Sequence, residues 1–201
     1  MASSAALAGD LTSTRQRILR AAARLFRERG FHATTARAIA EIVGMLSGSL
    51  FHYFRSKERM LFEVMNDAAT HLCERAELAV AGATDPRDRL RALIRLQLDC
   101  LVGEHTRDYY AVLINEWREL DSAAKPILTA RRARYAAIWQ AALDDLARMG
   151  LLRADAHATQ FALHGAINWA STWFRPGGRL SLEDYATLLE DLVLERTRAA
   201  S

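Results

Sequence analysis

Residues 34–54 read TTARAIAEIVGMLSGSLFHYF, a stretch that predicts two short helices joined by a tight turn. Thr34 or Thr35 can cap the first, because a short hydroxyl there accepts from a backbone N–H that the helix leaves unpaired. Ile39, Ala40 and Val43 recur at helical spacing on its buried side. Gly44 ends it, since glycine takes the left-handed backbone of a tight turn without steric cost. The second helix, expected over Leu46–Tyr53, carries small and aromatic polar side chains instead of an apolar face. A helix-turn-helix needs such a helix. The first helix braces it across the sugar–phosphate backbone while its N-terminal turn meets base edges in the major groove. Ile39, Ile42, Leu46 and Leu50 are the expected seam between the two. Ser47, Gly48, Ser49, Phe51, His52 and Tyr53 are left for the groove and the phosphates. Thr35 and Arg37 on the bracing helix, and Lys57 opening the next helix beside its free N–H groups, are expected phosphate contacts.

Upstream, Ser13 or Thr14 can cap a helix running to about Glu28. Its apolar side is Ile18, Ala22, Leu25 and Phe26, and Arg15, Arg17, Arg20, Arg24 and Arg27 populate the other. Gly30 stops it. Downstream, Ser56 opens a long helix to about Ala81, followed by the boundary Ala81-Gly82-Ala83-Thr84-Asp85-Pro86, where Asp85 caps and Pro86 fits a first helical turn. Further helical patterns lie around 86–103, 106–120, 122–149, 155–174 and 181–197, punctuated by Gly150 and Pro176-Gly177-Gly178. Asp155 and Ser181 are the expected caps of the last two, with Ser181 and Asp184 as a capping-box variant. No run of alternating β-branched residues predicts a strand. Eight or nine helices with short connections describe an all-α chain.

Of the 201 residues, 51% are hydrophobic, enough for a sizeable core. The net charge of +3 is unevenly spread. Residues 1–60 hold 10 Lys plus Arg against 4 Asp plus Glu, and the remainder hold 17 against 20. A basic head on a mildly acidic body suits a polyanion-binding module attached to something else, although a solvated Arg-rich helix surface gives the same count. Cys73 and Cys100 show no metal-ligand or CxxC spacing, so a reduced structural role is expected. The opening MASSAALAGD has neither a basic nor an apolar targeting region, and no apolar run approaches about 20 residues. The expectation is a cytoplasmic protein with no signal peptide and no membrane span.

The stretch from residue 14 to residue 61, TRQRILRAAARLFRERGFHATTARAIAEIVGMLSGSLFHYFRSKERML, resembles the DNA-binding domain of the TetR family. The resemblance is carried by the RxxILxAAxxLFxExG opening, the TTxRxIA helix and the GSLFHYFxSKE ending. There are departures. The family commonly has Ser-Lys where this chain has Leu46-Ser47, and Asp where Ala38 stands. Leu46 has no side-chain oxygen to cap the recognition helix, which leaves Ser47 as the expected cap. The resemblance implies an N-terminal three-helix helix-turn-helix DNA-binding domain over 12–72, with the motif at about 35–54. A helical-bundle ligand-binding and dimerisation domain would follow over 73–201.

In the body, residues 165–181 read GAINWASTWFRPGGRLS. Trp169 and Trp173 share a helix face at i, i+4, and His164, Asn168, Thr172 and Arg175 form an adjacent polar stripe. Ala162, Gly165, Ala166 and Ala170 allow close approach of another helix. The tryptophans can be core or dimer packing, or the stripe can line a cavity that holds a ligand. Catalysis would need a nucleophile or acid beside His164. None stands at useful spacing, so no enzyme, catalytic residue, metal or cofactor is expected.

The ending W-x-x-x-W-[FY]-x-P-x-G-x-L is similar to the acyl-CoA-responsive branches of the same family, the FadR and KstR types, and the LSGSL variant recurs in the KstR type. That resemblance implies a small-molecule effector, an acyl-CoA of fatty-acid or steroid-type catabolism, that releases a repressor from its operator. Arg131, Arg132 and Arg134 in TARRARY, and Arg175, are the candidates for its phosphates, unless the cluster is a solvated helix face. Trp117 and Tyr109-Tyr110 can line the cavity or pack within it. The expected ligand set is therefore Trp117, Arg131, Arg134, His164, Asn168, Trp169, Trp173 and Arg175. A different hydrophobic effector, drug-like or aromatic, or an activator instead of a repressor, are the alternatives. Reading a palindromic operator in double-stranded DNA needs two heads, so a homodimer is expected. Its four-helix interface would come from 155–174 and 181–197, with Leu182, Leu188, Leu189, Leu192 and Leu194 along one side.

Overall fold

A computed structural model describes residues 14–104 and 106–195. The expectations for MASSAALAGD, for Ser13 as a cap, and for the last helix at 196–197 lie outside them. The described residues form nine α-helices and one 3-10 turn, with no strand among them; Leu152 and Leu194 pair as an isolated antiparallel bridge. The helices are α1 (Thr14–Ala33), α2 (Ala36–Val43), α3 (Ser47–Leu50), α4 (Lys57–Ala81), α5 (Pro86–Val102), α6 (Arg107–Asn115), α7 (Ala124–Arg148), α8 (Ala156–Trp173) and α9 (Leu182–Val193). The 3-10 turn is Trp117–Glu119, so the helix expected over 106–120 ends early.

Local signals account for most of the ends. Asp155 accepts from Ala158 N, and Ser181 and Asp184 close a full capping box on α9. Ser56 Oγ accepts from Arg59 N at 3.1 Å, and Asp85 Oδ1 from Arg87 N at 2.7 Å. Gly30, at φ 79°, breaks the helical path within α1.

The chain packs as two units. One contains α1, α2, α3, the start of α4 to His71, and Gly103–Arg132 with α6 and the opening of α7. Its core is the apolar side of α1, with Ile18, Leu19, Ala22, Leu25 and Phe26 at 1% exposure or less, packed against α2 and α6. Each of the four larger side chains contributes about 1.5–3 kcal/mol over leaving it in water. By packing, residues 103–132 therefore group with the N-terminal helices, whereas the expected division at 72/73 runs straight along the chain.

The other unit contains Leu72–Val102 and the chain from Ala133 onward. Here α5 packs against α8 and α9. Leu90, Leu93 and Ile94 of α5 and Ile167 of α8 are fully buried. Arg91 ties α5 to α9 by donating from Nη2 to Oε2 of the buried Glu190 at 2.9 Å.

Candidate DNA-reading surface and buried polar cluster

The helix-turn-helix forms where the sequence places it. Thr35 Oγ1 accepts from Ala38 N at 3.1 Å and caps α2, while Thr34 is buried and donates from Oγ1 to Gly30 O. Gly44 takes φ 77° and ψ 39° and its N–H closes on Ala40 O and Glu41 O. Beyond it, α3 is one helical turn, and Phe51, His52 and Tyr53 continue as turns, with N–H bonds to Gly48 O, Ser49 O and Leu50 O. The continuous helix expected over Leu46–Tyr53 is thus shorter. Leu46, not Ser47, occupies the N-cap position, and no side chain caps α3 there.

The expected seam is half right. Ile39 and Leu50 are fully buried, joined by Ala40, Val43 and Phe54, but Ile42 is 49% and Leu46 80% exposed. In a helix of eight residues the inward arc holds positions 39, 40 and 43, and Leu46 precedes the next helix instead of lying on its inner face. Ser47, Gly48, Phe51, His52 and Tyr53 are exposed and Ser49 is half-buried, so this run is open to a partner.

Arg37 is exposed, its Nε 3.0 Å from Glu41 Oε1. Lys57 departs from expectation. Its Nζ donates to Phe31 O and Thr34 O, both at 2.8 Å, and lies 4.2 Å from the Phe31 ring centroid. The ammonium therefore staples the loop between α1 and α2 instead of standing free for a phosphate. Arg17, absent from the expected set, donates from Nη2 to Val43 O at 2.7 Å, at the carbonyl end of α2.

In the second unit three helices assemble a buried polar cluster. Tyr135 Oη donates to Gln97 Oε1 at 2.9 Å, and Gln97 Nε2 donates to Asn168 Oδ1 at 2.8 Å. The His164 ring stacks on Tyr135 with centroids 5.9 Å apart and meets Trp139 edge-on at 4.8 Å. Trp139 is fully buried, and among the described residues neither its Nε1 nor His164 Nε2 makes a hydrogen bond of good geometry, although Trp139 lies close enough to Tyr135 to favour its phenolate slightly. Burial pushes the His164 pKa down from 6.5 to about 4, so the imidazole is neutral near pH 7. Burial likewise raises the Tyr135 pKa, keeping the phenol protonated.

Of the eight expected ligand residues, this cluster unites only His164 and Asn168. Trp117 and Arg131 belong to the other unit, where the Arg132 guanidinium lies 4.6 Å from the Trp117 ring and Arg131 Nε donates to Asn66 Oδ1. Arg134 is exposed and ion-paired with Glu77 at 2.6 Å, and Arg175 is exposed and donates to Phe174 O. Trp169 is 68% and Trp173 39% exposed; the Trp173 ring meets Tyr185 edge-on at 5.1 Å. Sequence reasoning missed Gln97, Tyr135 and Trp139. The i, i+4 spacing of Tyr135 and Trp139 was the available signal.

The outer faces of α8 and α9 expose Phe161, Trp169, Trp173, Leu188 and Leu192. Leu189 and Leu194 are buried instead, so the expected leucine stripe divides between an inner and an outer side. Among the described residues no group of three His, Cys, Asp or Glu could hold a metal, and no helix is long and apolar enough to cross a membrane.

Comparison with known proteins agrees with this architecture. Residues 18–64 match the family model described as bacterial regulatory proteins, tetR family, and residues 83–197 match the tetracyclin repressor-like C-terminal domain. The HTH-type transcriptional repressor KstR2 of Mycolicibacterium smegmatis is 32% identical over 174 residues, covering 85% of this chain and 84% of that protein. The structure of the superantigen PfiT is 37% identical with a TM-score of 0.77, covering 94% of this chain and 100% of PfiT. AibR in complex with isovaleryl coenzyme A and operator DNA is 28% identical with a TM-score of 0.81, covering 90% of this chain and 97% of AibR. The two matched models together span the helix-turn-helix head and the helical body, and the chain belongs to the TetR family of bacterial transcriptional regulators.

Proposed function

We propose that this chain is a cytoplasmic, homodimeric repressor that leaves its operator when an acyl-CoA thioester enters the second unit. The observation that carries the effector reading is the pair of buried nitrogens, Trp139 Nε1 and His164 Nε2. A buried N–H without a partner costs about 1–3 kcal/mol. A ligand carbonyl that accepts from Trp139 removes that cost, and its apolar chain suits the surrounding helices. A neutral His164 adds no charge that would oppose an uncharged thioester. The AibR complex with isovaleryl coenzyme A and operator DNA supports the same ligand class, and the exposed Arg134 and Arg175 are the candidates for its phosphates, Arg134 by exchanging its surface ion pair with Glu77.

Release follows from differential affinity. Helices α4 and α7 each contribute residues to both units, so a ligand that favours one arrangement of the body biases the spacing of the two heads in a dimer. The dimer itself is supported by the outer face of α8 and α9. Trp169 is 68% and Leu192 60% exposed there, and beyond the backbone of its own helix a Cβ at Gly165 would meet nothing within 4 Å among the described residues. A second copy packing closely accounts for both.

Calorimetric titration of the DNA-free protein with isovaleryl-CoA, longer acyl-CoAs and free CoA tests the effector. Binding by a thioester that Trp139→Phe weakens at least several-fold is the expected result. Equal binding of thioester and free CoA contradicts the reading.

A further inference from the structure

The reading segment has an unusual chemical inventory. Residues 45–54, MLSGSLFHYF, contain no Arg, Lys, Asn, Gln, Asp or Glu. The bidentate contacts by which guanine and adenine are told apart in the major groove need those side chains. Ser47 and Ser49 therefore offer hydroxyls at the start of α3, and Leu46, just before it, offers apolar surface. Leu46, at its N-cap, is 80% exposed, makes no cap hydrogen bond and touches water where a Ser, Thr, Asp or Asn would stabilise the helix. Ile42, Phe51 and Tyr53 of the same basic head are also close to half exposed. Gly48 sits inside α3 although a Cβ there would meet nothing within 4 Å and its φ is not positive. Its own fold does not require glycine at that point, and glycine weakens a helix relative to alanine. The open space beside it leaves room for a close external surface.

We infer that Leu46 is a specificity-determining residue that reads the 5-methyl group of a thymine in each operator half-site, with Gly48 letting the backbone of α3 come close enough for that contact. Thymine is the base whose major-groove edge carries a methyl, and an exposed branched aliphatic side chain is complementary to it. Leu46 thereby trades helix capping for base selection. The inference rests on the reading that α3 enters the major groove.

The test uses a duplex selected by the wild-type protein from a random-sequence library, then resynthesised with deoxyuridine at one thymine pair at a time. Uracil pairs as thymine does and lacks only the methyl. At one symmetric pair of positions the substitution weakens wild-type binding about three- to fivefold per half-site, the scale of one buried methyl. Leu46→Ala binds the thymine duplex correspondingly weakly and does not distinguish uracil from thymine there. Leu46→Asn restores a capping side chain, so its melting temperature is at least that of the wild type while its methyl sensitivity is lost. Uracil sensitivity unchanged in both variants, or absent at every position in the wild type, overturns the inference. A wild-type protein that selects no duplex refutes the DNA-reading premise itself, which the selection step reveals before any uracil is introduced.

Discussion

Trp139 and His164 meet edge to face with ring centroids 4.8 Å apart, and both bury a ring nitrogen that lacks a well-formed hydrogen bond among the described residues. Because His164 takes up a proton only near pH 4 when folded, against 6.5 ordinarily, acid favours the unfolded chain. Stability is full above about pH 6.5, falls as pH drops through the window to about 4, and levels off below it. The loss from this residue is at most about 3 kcal/mol. Thermal melts from pH 7.5 to 4 are expected to show a steeper decline for the wild type than for His164→Phe. Parallel curves would mean that His164 is solvated in solution.

Lys57, bound to two backbone carbonyls, and the exposed Arg37 are expected to affect stability and DNA binding differently. Lys57→Met keeps the aliphatic stem but strips donors from Phe31 O and Thr34 O, so it is expected to destabilise the first unit by about 1–3 kcal/mol. The salt dependence of DNA binding should barely move. Arg37→Ala should leave the melting temperature nearly unchanged, because its ion pair with Glu41 is exposed. It should lower the log–log salt slope by about one charge. Salt titrations of both variants check the assignment; a reduced slope for Lys57→Met would return that ammonium to the phosphate.

The outer face of α8 predicts opposite effects on chain and dimer. Gly165→Ala adds a methyl where the isolated chain has open space, and Ala favours a helix interior over Gly by up to about 1 kcal/mol. The helix should gain stability while the dimer weakens, because the added methyl occupies the close approach. Trp169→Ser, at a 68% exposed position, should also shift the sedimentation profile towards monomer. Unchanged dimerisation by both variants would place the interface elsewhere.

What could be read from the sequence was what is local. Gly44, Thr35, Ser181 with Asp184, and Asp155 act within their own turn, and all are found in the roles their chemistry predicts. Ile42 misled because only positions 39, 40 and 43 of the eight-residue α2 face inward, and Leu46 because it precedes a helix of four residues, too short for periodicity to distinguish an inner from an outer side. Core packing, dimer packing and a cavity lining all stayed open for Trp169 in the sequence, because an apolar helix face reads the same in each case; its 68% exposure excludes the core of its own chain. Gln97 lies on α5 and Tyr135 and Trp139 on α7, and only packing of α5, α7 and α8 brings them to His164 and Asn168.

The central claim is that an acyl thioester in the body controls the head. Fluorescence anisotropy of the protein on its selected operator duplex, titrated with isovaleryl-CoA and longer acyl-CoAs, tests it directly. Free CoA and the free acids serve as controls. Release by at least one thioester, with no release by its acid or by CoA, is the predicted result. It should be shifted to higher thioester concentration in Trp139→Phe. Operator binding that persists at saturating thioester, with the thioester shown by calorimetry to be bound, would contradict it.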